Sequence, residues 1–196
     1  MSEAPLLVGL VGYAQVGKDT AAAWLHDTLG YEHRAFAGPL RLLAERINPI
    51  LNGEPMTYRQ ALRIHGYEAA KLEVPGFREF LKDLGNGARD VVGEDVWINA
   101  AFRKMPRHTV FSDVRFLNEA DAIRRRARTR GGEALLLRIV RPGHGPESDF
   151  EAEVPRIPVD YIVDNSGSLE HFRGGLAGMW EHRTRGGSWS QLAMAL

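Results

Sequence analysis

Residues 8–20 read VGLVGYAQVGKDT, and this stretch decides the fold. The apolar run 6–11 predicts a buried strand, and Gly12 and Gly17 bracket four residues before Lys18. Small and apolar residues then recur with helical spacing. A strand, a G-x-x-x-x-G-K loop and a helix in this order predict a phosphate-binding loop. In such a loop, backbone N–H groups and the helix N-terminus face a polyphosphate, and the lysine adds a cation.

The loop departs from its common form at the position after Lys18. Asp19 stands where a Mg²⁺-binding Ser or Thr is usual, and Thr20 follows one place later. Asp19 has two interpretations, which the sequence leaves open. It could hold a water of a bound Mg²⁺, because Mg²⁺ gives up its hydration reluctantly. It could also only start the helix, where a negative charge is favoured.

The composition fits one globular domain over residues 1–196, with 44% apolar and 26% charged residues. The absence of cysteine excludes disulfides, thiol nucleophiles and cysteine-based metal sites. A formal net charge of zero argues against general nucleic-acid binding. The chain shows neither a long apolar run nor a signal-peptide pattern. We therefore expect a cytoplasmic protein with no membrane partner.

Strands and helices alternate along the chain. Strands are predicted at 6–11, 32–36, 109–111, 134–140 and 159–163. Helices are predicted at 18–29, 39–47, 57–65, 77–92, 94–104, 118–129 and 168–182. This order predicts an α/β fold, with a parallel sheet of about five strands and helices on both faces. The segment 38–105 is too long for a simple crossover, so we expect it to form a helical substrate-binding lobe.

The stretch FSDVRFLNE, residues 111–119, carries a second group of polar side chains. Asp113 is predicted just past the end of a strand, at the sheet edge where α/β proteins bind ligands. Arg115 could bind a phosphate through two parallel hydrogen bonds. The structural alternative is that Asp113 caps the next helix and Arg115 pairs with Glu119.

The stretch from 81 to 98 carries the third group. Glycines 85 and 87 predict a bend in the helix 77–92, where Asn86 could contact a base and Arg89 a phosphate. Trp97 could stack on a base, although composition alone favours a place in the core. The loop 141–149 could be a mobile lid that carries Arg141, whereas the arginines between 124 and 130 are typical of a solvated helix face.

Together these stretches resemble the bacteriophage-type deoxynucleoside monophosphate kinases, a family with the P-loop kinase fold. The matching segments are 12–22, 36–41, 81–89 with Trp97, 112–119 and 162–168. The family often has Leu-Gln before the glycines and Thr after them, whereas this chain has Leu81-Lys82 and Asn86. The preferred base is therefore left open.

The resemblance implies transfer of the γ-phosphoryl group of ATP, with Mg²⁺, to a deoxynucleoside monophosphate in nucleotide biosynthesis. It implies that three cations, Lys18, Arg115 and Arg141, stabilise the transferring phosphate. The residues implied around ATP are Gly12, Ala14, Gly17, Lys18, Asp19, Thr20, Asn165 and Gly167. Those implied around the acceptor are Arg41, Asn86, Arg89, Trp97, Asp113, Arg115, Asn118 and Glu119. Asp19 is the implied metal residue, acting through water.

Other functions remain as alternatives. One is another small-molecule kinase with the same core, such as a dephospho-coenzyme A or phosphomevalonate kinase. Another is a P-loop ATPase or switch module, for which we find no water-positioning residue. The expected partners are small nucleotides, a homodimer is left open, and a phage origin would place the protein in the host cytoplasm.

Overall fold

The computed structural model describes residues 5–53, 55–146 and 151–185. The described residues contain one five-stranded sheet in the order β2-β3-β1-β4-β5. Its strands are β1 (Leu7–Val11), β2 (Glu32–Arg34), β3 (Thr109–Val114), β4 (Ala134–Val140) and β5 (Tyr161–Asp164). All four pairings are parallel. The predicted α/β class and five-stranded parallel sheet are confirmed.

The helices separate the strands as the sequence predicts. They are α1 (Lys18–Leu29), α2 (Ala37–Ile47), α3 (Tyr58–Glu73), α4 (Phe77–Val92), α5 (Val96–Ala101), α6 (Leu117–Thr129) and α7 (Leu169–Thr184). A short 3₁₀ turn covers Val154–Arg156. The central strand β1 lies between β3 and β4, so the strand order reverses at β1. Parallel sheets bind ligands at such a reversal, beyond the carboxyl ends of the strands.

The central strand β1 is covered on both faces. Val8 and Leu10 belong to the core cluster formed with α1 and α7. Successive positions of a strand face opposite sides of the sheet, so a side chain at position 9 would face the side opposite to Val8 and Leu10. A Cβ built on Gly9 would lie 2.9 Å from Ile123 Cδ1 of α6 and 2.4 Å from Leu136 Cδ2. Glycine thus lets α6 pack directly against the strand backbone, and the predicted helices on both faces are confirmed.

The chain divides into two compact units, one made of residues 1–35 with 104–196 and the other of residues 36–103. The first unit contains the sheet with α1, α6 and α7. The second is helical, and Tyr58 and Phe77 stack at its centre with ring centroids 4.6 Å apart. A capping box formed by Thr57 and Gln60 lies at the start of α3. That the helical unit serves as the acceptor lobe stays a prediction.

The predicted bend at glycines 85–87 is wrong, because α4 runs without interruption from Phe77 to Val92. Glycine in a helix costs only about 1 kcal/mol relative to alanine, and packing can offset this. The break lies instead in α3, where Gly66 has φ 74° and ψ 169°. The helix predicted to end at residue 65 therefore resumes beyond Gly66 and continues to Glu73.

Several predicted segments have other limits in the structure, and strand β2, predicted over 32–36, ends at Arg34. Strand β3 continues to Val114, so Asp113 lies within the strand rather than past its end. The helix predicted over 94–104 covers only Val96–Ala101. Strand β5 begins at Tyr161 rather than 159. Residues 147–149 of the predicted lid lie outside the described residues, as do residues 186–196.

Candidate functional site

The loop between β1 and α1 has a backbone that requires glycine at both ends. Gly12 has φ 152°, and a Cβ there would lie 2.6 Å from the carbonyl oxygen of Ile139. Gly17 has φ 105°, and a Cβ there would lie 2.5 Å from Asn165 Nδ2. Residues that carry a side chain rarely adopt such φ values. The two glycines of the sequence motif thus meet both a conformational and a steric demand.

Lys18 closes this loop from the first turn of α1. Lys18 is only 8% exposed, and its Nζ donates to the carbonyl oxygen of Gly12 at 2.8 Å and to that of Tyr13. Burial lowers the pKa of Lys18 from 10.5 to about 8, and the Arg115 guanidinium contributes to this lowering. A nearby polyphosphate would favour the ammonium form, because opposite charges raise the pKa of a base.

Three carboxylates oppose this lowering of the Lys18 pKa, namely those of Glu151, Asp19 and Asp113. Glu151 is 1% exposed and reaches the site from the segment that precedes β5. Asp113 and Arg115 come from the carboxyl end of β3, beside β1. The structure therefore brings the two predicted polar groups, from the loop and from β3, into one electrostatic neighbourhood.

A cleft of about 400 Å³ opens beside the loop and carries many of the predicted ATP-binding residues. Its lining consists of Gln15, Gly17, Lys18, Asp19, Thr20, Arg141, Asn165, Gly167, Leu169 and Phe172. Gly12 and Ala14 belong to the loop but do not line the cleft. The N–H groups in the first turn of α1 have no intrahelical partner, as in any helix. The cleft thus combines a helix N-terminus with the cations Lys18 and Arg141, which suits a polyphosphate.

Glu119 makes a structural contact that the sequence did not predict in this form. Glu119 is 4% exposed, and its Oε2 accepts hydrogen bonds from the backbone N–H groups of Arg115 at 2.8 Å and Phe116 at 3.1 Å. The carboxylate therefore caps α6 rather than pairing with the Arg115 guanidinium. This burial argues against a contact between Glu119 and the acceptor. Asn118 follows in the first turn of α6 and is half-buried.

The side chain of Arg115 is the strongest candidate for binding an anion. Across the described part of the chain, its guanidinium makes no hydrogen bond or ion pair. Its charge is nevertheless close enough to lower the pKa of Lys18. Two cations so placed repel each other, and an anion between them would relieve that repulsion. The structural alternative, in which Arg115 forms an ion pair with Glu119, is wrong, because the backbone and not the guanidinium of Arg115 contacts that carboxylate.

His33 lies beside Asp19, although no spacing in the sequence indicates a functional role for this histidine. The Nε2 atom of His33, in β2, lies 2.7 Å from Ser112 Oγ and 4.0 Å from Asp19 Oδ1. The side chain of Asp19 is 89% exposed. Within the described ranges, no group of three or more His, Cys, Asp or Glu side chains could hold a metal ion. An exposed carboxylate at the cleft fits a contact to a hydrated Mg²⁺ through water, not a dedicated metal cage.

The remaining predicted acceptor residues lie in the helical unit. The guanidinium of Arg41 stacks over the ring of Tyr67, 4.3 Å from its centroid. Trp97 is 7% exposed, and its Nε1 donates to the carbonyl oxygen of Gly85 at 3.0 Å. Trp97 is thus a packing residue in this structure, which is the alternative that composition favoured. Asn86 and Arg89 lie on α4, both half-buried, and their acceptor contacts stay predictions.

We expect the affinity for ADP to fall as the pH rises above about 8. Lys18 loses its proton near pH 8 in this structure. Bound phosphates would restore the proton, so each pH unit above that point should weaken binding by up to about tenfold. Isothermal titration calorimetry of ADP from pH 7 to 9.5 measures this. Lys18→Arg is the control, since arginine stays protonated throughout. Equal affinities of the original chain at pH 7 and 9.5 would contradict the assignment.

We expect Asp19→Ala to impair the use of Mg²⁺ more than the binding of nucleotide. The exposed carboxylate would lose its contact with a metal-bound water, and the loop backbone would stay in place. The measurement is a Mg²⁺ titration of turnover, with Asp19→Asn as a variant that keeps a water acceptor. An unchanged Mg²⁺ dependence in Asp19→Ala would support the alternative role at the helix start.

No protein-family model matches this chain. A protein of Acanthamoeba polyphaga mimivirus, named "Putative deoxynucleotide monophosphate kinase", is 30% identical over 184 residues, which cover 85% of this chain and 92% of that protein. No helix in the described residues has the length and apolar character needed to cross a membrane.

Among solved structures, the dephospho-CoA kinase of Campylobacter jejuni matches 92% of this chain and 98% of its own, with 12% identity and a TM-score of 0.43. The shikimate kinase of Bacteroides thetaiotaomicron matches 92% of this chain and 99% of its own, with the same identity and TM-score. The extent of the mimivirus match, over a chain with a phosphate-binding loop, shows that this chain belongs to the deoxynucleoside monophosphate kinase family and is a phosphotransferase.

Proposed function

We propose that this protein transfers the γ-phosphoryl group of ATP to a deoxynucleoside monophosphate, giving ADP and the deoxynucleoside diphosphate. The observation that carries the proposal is the position of Arg115. Its guanidinium has no partner among the described side chains and lies near Lys18, at the carboxyl end of β3. A planar guanidinium suits a phosphate acceptor, because it can donate two parallel hydrogen bonds. The name of the mimivirus relative supports the same substrate class.

The proposed reaction needs little covalent chemistry from the protein. An oxygen of the acceptor phosphate attacks the γ-phosphorus, and the bond to the β–γ bridging oxygen breaks as ADP leaves. The transition state is loose, and its charge spreads over the equatorial oxygens. Catalysis then consists of alignment and of cations placed where the charge develops. The acceptor phosphate is already anionic at neutral pH, so we assign no general base.

Different residues of the first unit would bind the two phosphate groups that take part in the reaction. Lys18 and the N-terminus of α1 would hold the β- and γ-phosphates of ATP, with Arg141 at the edge of the cleft. Arg115 would hold the acceptor phosphate. A bound Mg²⁺ would supply further positive charge, and Asp19 would orient one of its waters. Within the helical unit, the family resemblance still implies an acceptor contact for Arg41, whose guanidinium stacks on Tyr67.

An assay of ADP release tests the proposal. All ribo- and deoxynucleoside monophosphates are offered separately, together with dephospho-coenzyme A and phosphomevalonate, and one reaction contains no acceptor. We expect at least one deoxynucleoside monophosphate to raise ADP release well above the reaction without acceptor. Turnover only with a non-nucleotide acceptor would favour another small-molecule kinase. Acceptor-independent hydrolysis alone would favour an ATPase or switch module.

Arg115→Ala should lower kcat/KM for the acceptor by about 10- to 100-fold, the usual range for losing charge-assisted hydrogen bonds. The affinity for ADP should change little. Arg115→Lys should recover only part of the loss, since lysine keeps the charge without the planar fork. Steady-state kinetics at varied acceptor concentration, with ADP calorimetry, make this measurement.

The matched control for Arg115 is Arg125→Ala, which removes an exposed arginine of α6. It should leave both constants unchanged. The Arg115→Ala protein should also keep any slow hydrolysis of ATP, because water needs no phosphate clamp. A lower melting temperature with unaltered acceptor kinetics would instead assign Arg115 a structural role.

A further inference from the structure

Asn165 connects two distant parts of the first unit. It follows β5, and its backbone N–H donates to the carbonyl oxygen of Val140 at 2.8 Å. Its side-chain Nδ2 donates to the carbonyl oxygen of Val16 at 2.8 Å, across 149 positions of sequence. The family resemblance implied a place around ATP for Asn165. The structure gives its amide a different partner, the backbone of the phosphate-binding loop.

This hydrogen bond fixes the orientation of one peptide group, the peptide between Val16 and Gly17. A trans peptide is planar, so its carbonyl oxygen and its N–H point in opposite directions. Because the Val16 oxygen faces Asn165, the Gly17 N–H faces away from Asn165. No acceptor for this N–H lies among the described residues. Such free N–H groups are what a phosphate-binding loop offers to its ligand.

The surrounding contacts hold the two partners close together. Val16 is 1% exposed, so its side chain anchors the loop in the core. The Cα of Gly17 approaches Asn165 so closely that a Cβ would lie 2.5 Å from Nδ2. At the other end of the loop, Lys18 binds the carbonyl oxygens of Gly12 and Tyr13. The loop carbonyls are therefore bound at both ends, by Lys18 and by Asn165.

We infer that Asn165 is a positioning residue, which holds the Val16 carbonyl away from the bound phosphates and so keeps the Gly17 N–H available to them. This inference rests on the proposed function only in that the loop binds a nucleotide. A carbonyl turned toward a phosphate would repel it, whereas an N–H attracts it. The position requires a hydrogen-bond donor, which an amide supplies and an ionised carboxylate cannot.

Two variants separate this role from simple packing. Asn165→Ala removes the donor, and Asn165→Asp keeps the shape but exchanges the donor for an anionic acceptor at neutral pH. We expect ADP affinity to fall about 3- to 10-fold in Asn165→Ala, the usual effect of one lost neutral hydrogen bond. In Asn165→Asp the loss at pH 8 should be larger, since a carboxylate faces the carbonyl oxygen and the phosphates.

The pH profile provides the specific readout. The Val16 oxygen and the bound phosphates should raise the pKa of the carboxyl group introduced by Asn165→Asp well above its ordinary value of about 3.9, because both disfavour a negative charge. Below that raised pKa, the carboxyl group carries an O–H that can donate to the Val16 oxygen. The affinity of the Asn165→Asp variant, relative to the original chain, should therefore rise as the pH falls from 8 to 5.5. The ratio for Asn165→Ala should stay flat. Ser166→Ala, in the same exposed loop, removes a side chain that contacts Asp164 rather than the phosphate-binding loop, and this variant should bind ADP normally.

Calorimetry of ADP binding decides between the outcomes, with circular dichroism as the check of folding. Unchanged ADP affinity in Asn165→Ala would overturn the inference, and so would equal losses in both variants at every pH. If Asn165→Asp does not fold at pH 8, the affinity of Asn165→Ala alone decides. If the original chain binds ADP but phosphorylates no deoxynucleoside monophosphate, the proposed function fails and this inference stands.

Discussion

Replacing Lys18 with alanine should lower kcat/KM by about 10²–10³-fold, the usual effect of losing one preorganised charge contact in a transition state. Lys18 is buried beside the cleft, and its Nζ binds two carbonyl oxygens of the loop. The ammonium would meet the β- and γ-phosphates, whose charge grows as the bond to the leaving oxygen breaks. Coupled measurement of ADP release, at saturating and limiting ATP, gives the size of the effect.

The loss of Lys18 should not unfold the protein. Burial disfavours its charge, as the lowered pKa shows, so removing the ammonium relieves a cost of folding. Lys104→Asn is the matched control. Lys104 is exposed and has φ 50°, a conformation that asparagine tolerates. This control should keep full activity. A folded Lys18→Ala protein with near-normal turnover would refute the assignment of the phosphate-binding loop.

Gly12→Ala should reduce the free energy of unfolding by roughly 3 kcal/mol or more, the combined cost of a strained φ and of overpacking. Gly12 has φ 152°, and the new Cβ would lie 2.6 Å from the Ile139 oxygen and 2.9 Å from Val16 Cγ2. The Ile139 oxygen belongs to the backbone of β4, so it cannot turn aside as a flexible side chain would. Urea denaturation of the variant and the original chain measures the difference.

Gly30→Ala isolates the contribution of the backbone conformation. Gly30 has φ 73°, and a Cβ there meets nothing within 4 Å. Alanine at this position should cost only about 1 kcal/mol, because the left-handed conformation alone is penalised. If Gly12→Ala costs no more than Gly30→Ala, the close approach between the loop and β4 is not rigid. A larger loss in Gly12→Ala assigns the excess to that approach.

The sequence predicted those parts of the fold in which local pattern and packing agree. Helix α1 and strand β4 have the predicted bounds, because apolar periodicity and the flanking glycines mark the same limits. The prediction failed where local preference and packing compete. Glycines 85 and 87 favour a bend, but α4 continues through them while Phe77 and Leu81 are buried. Gly66 has a non-helical backbone conformation, and a single glycine in the sequence does not predict such a break.

The candidate site was predictable only where neighbouring residues carry it. The motif from Gly12 to Thr20 identified the loop, since its chemistry depends on spacing along the chain. The sequence did not predict a place at the site for Glu151 or His33, because neither belongs to a motif with a characteristic spacing. Only the fold brings Glu151 near Lys18 and His33 near Asp19. Asn165 was selected by family resemblance, but its partner could not be read from sequence. The hydrogen bond to Val16 depends on the order of strands in the sheet.

The bond between Asn165 and Val16 also has a consequence for the order in which the protein folds during synthesis. A ribosome delivers the N-terminal part first, and the two partners lie 149 positions apart. The loop emerges early, whereas β5 and Asn165 emerge much later. Pairing over so long a separation must close a large loop of chain, which slows its formation. A nascent chain stalled before β5 lacks Asn165. It should therefore carry the whole G-x-x-x-x-G-K sequence and still bind nucleotide poorly.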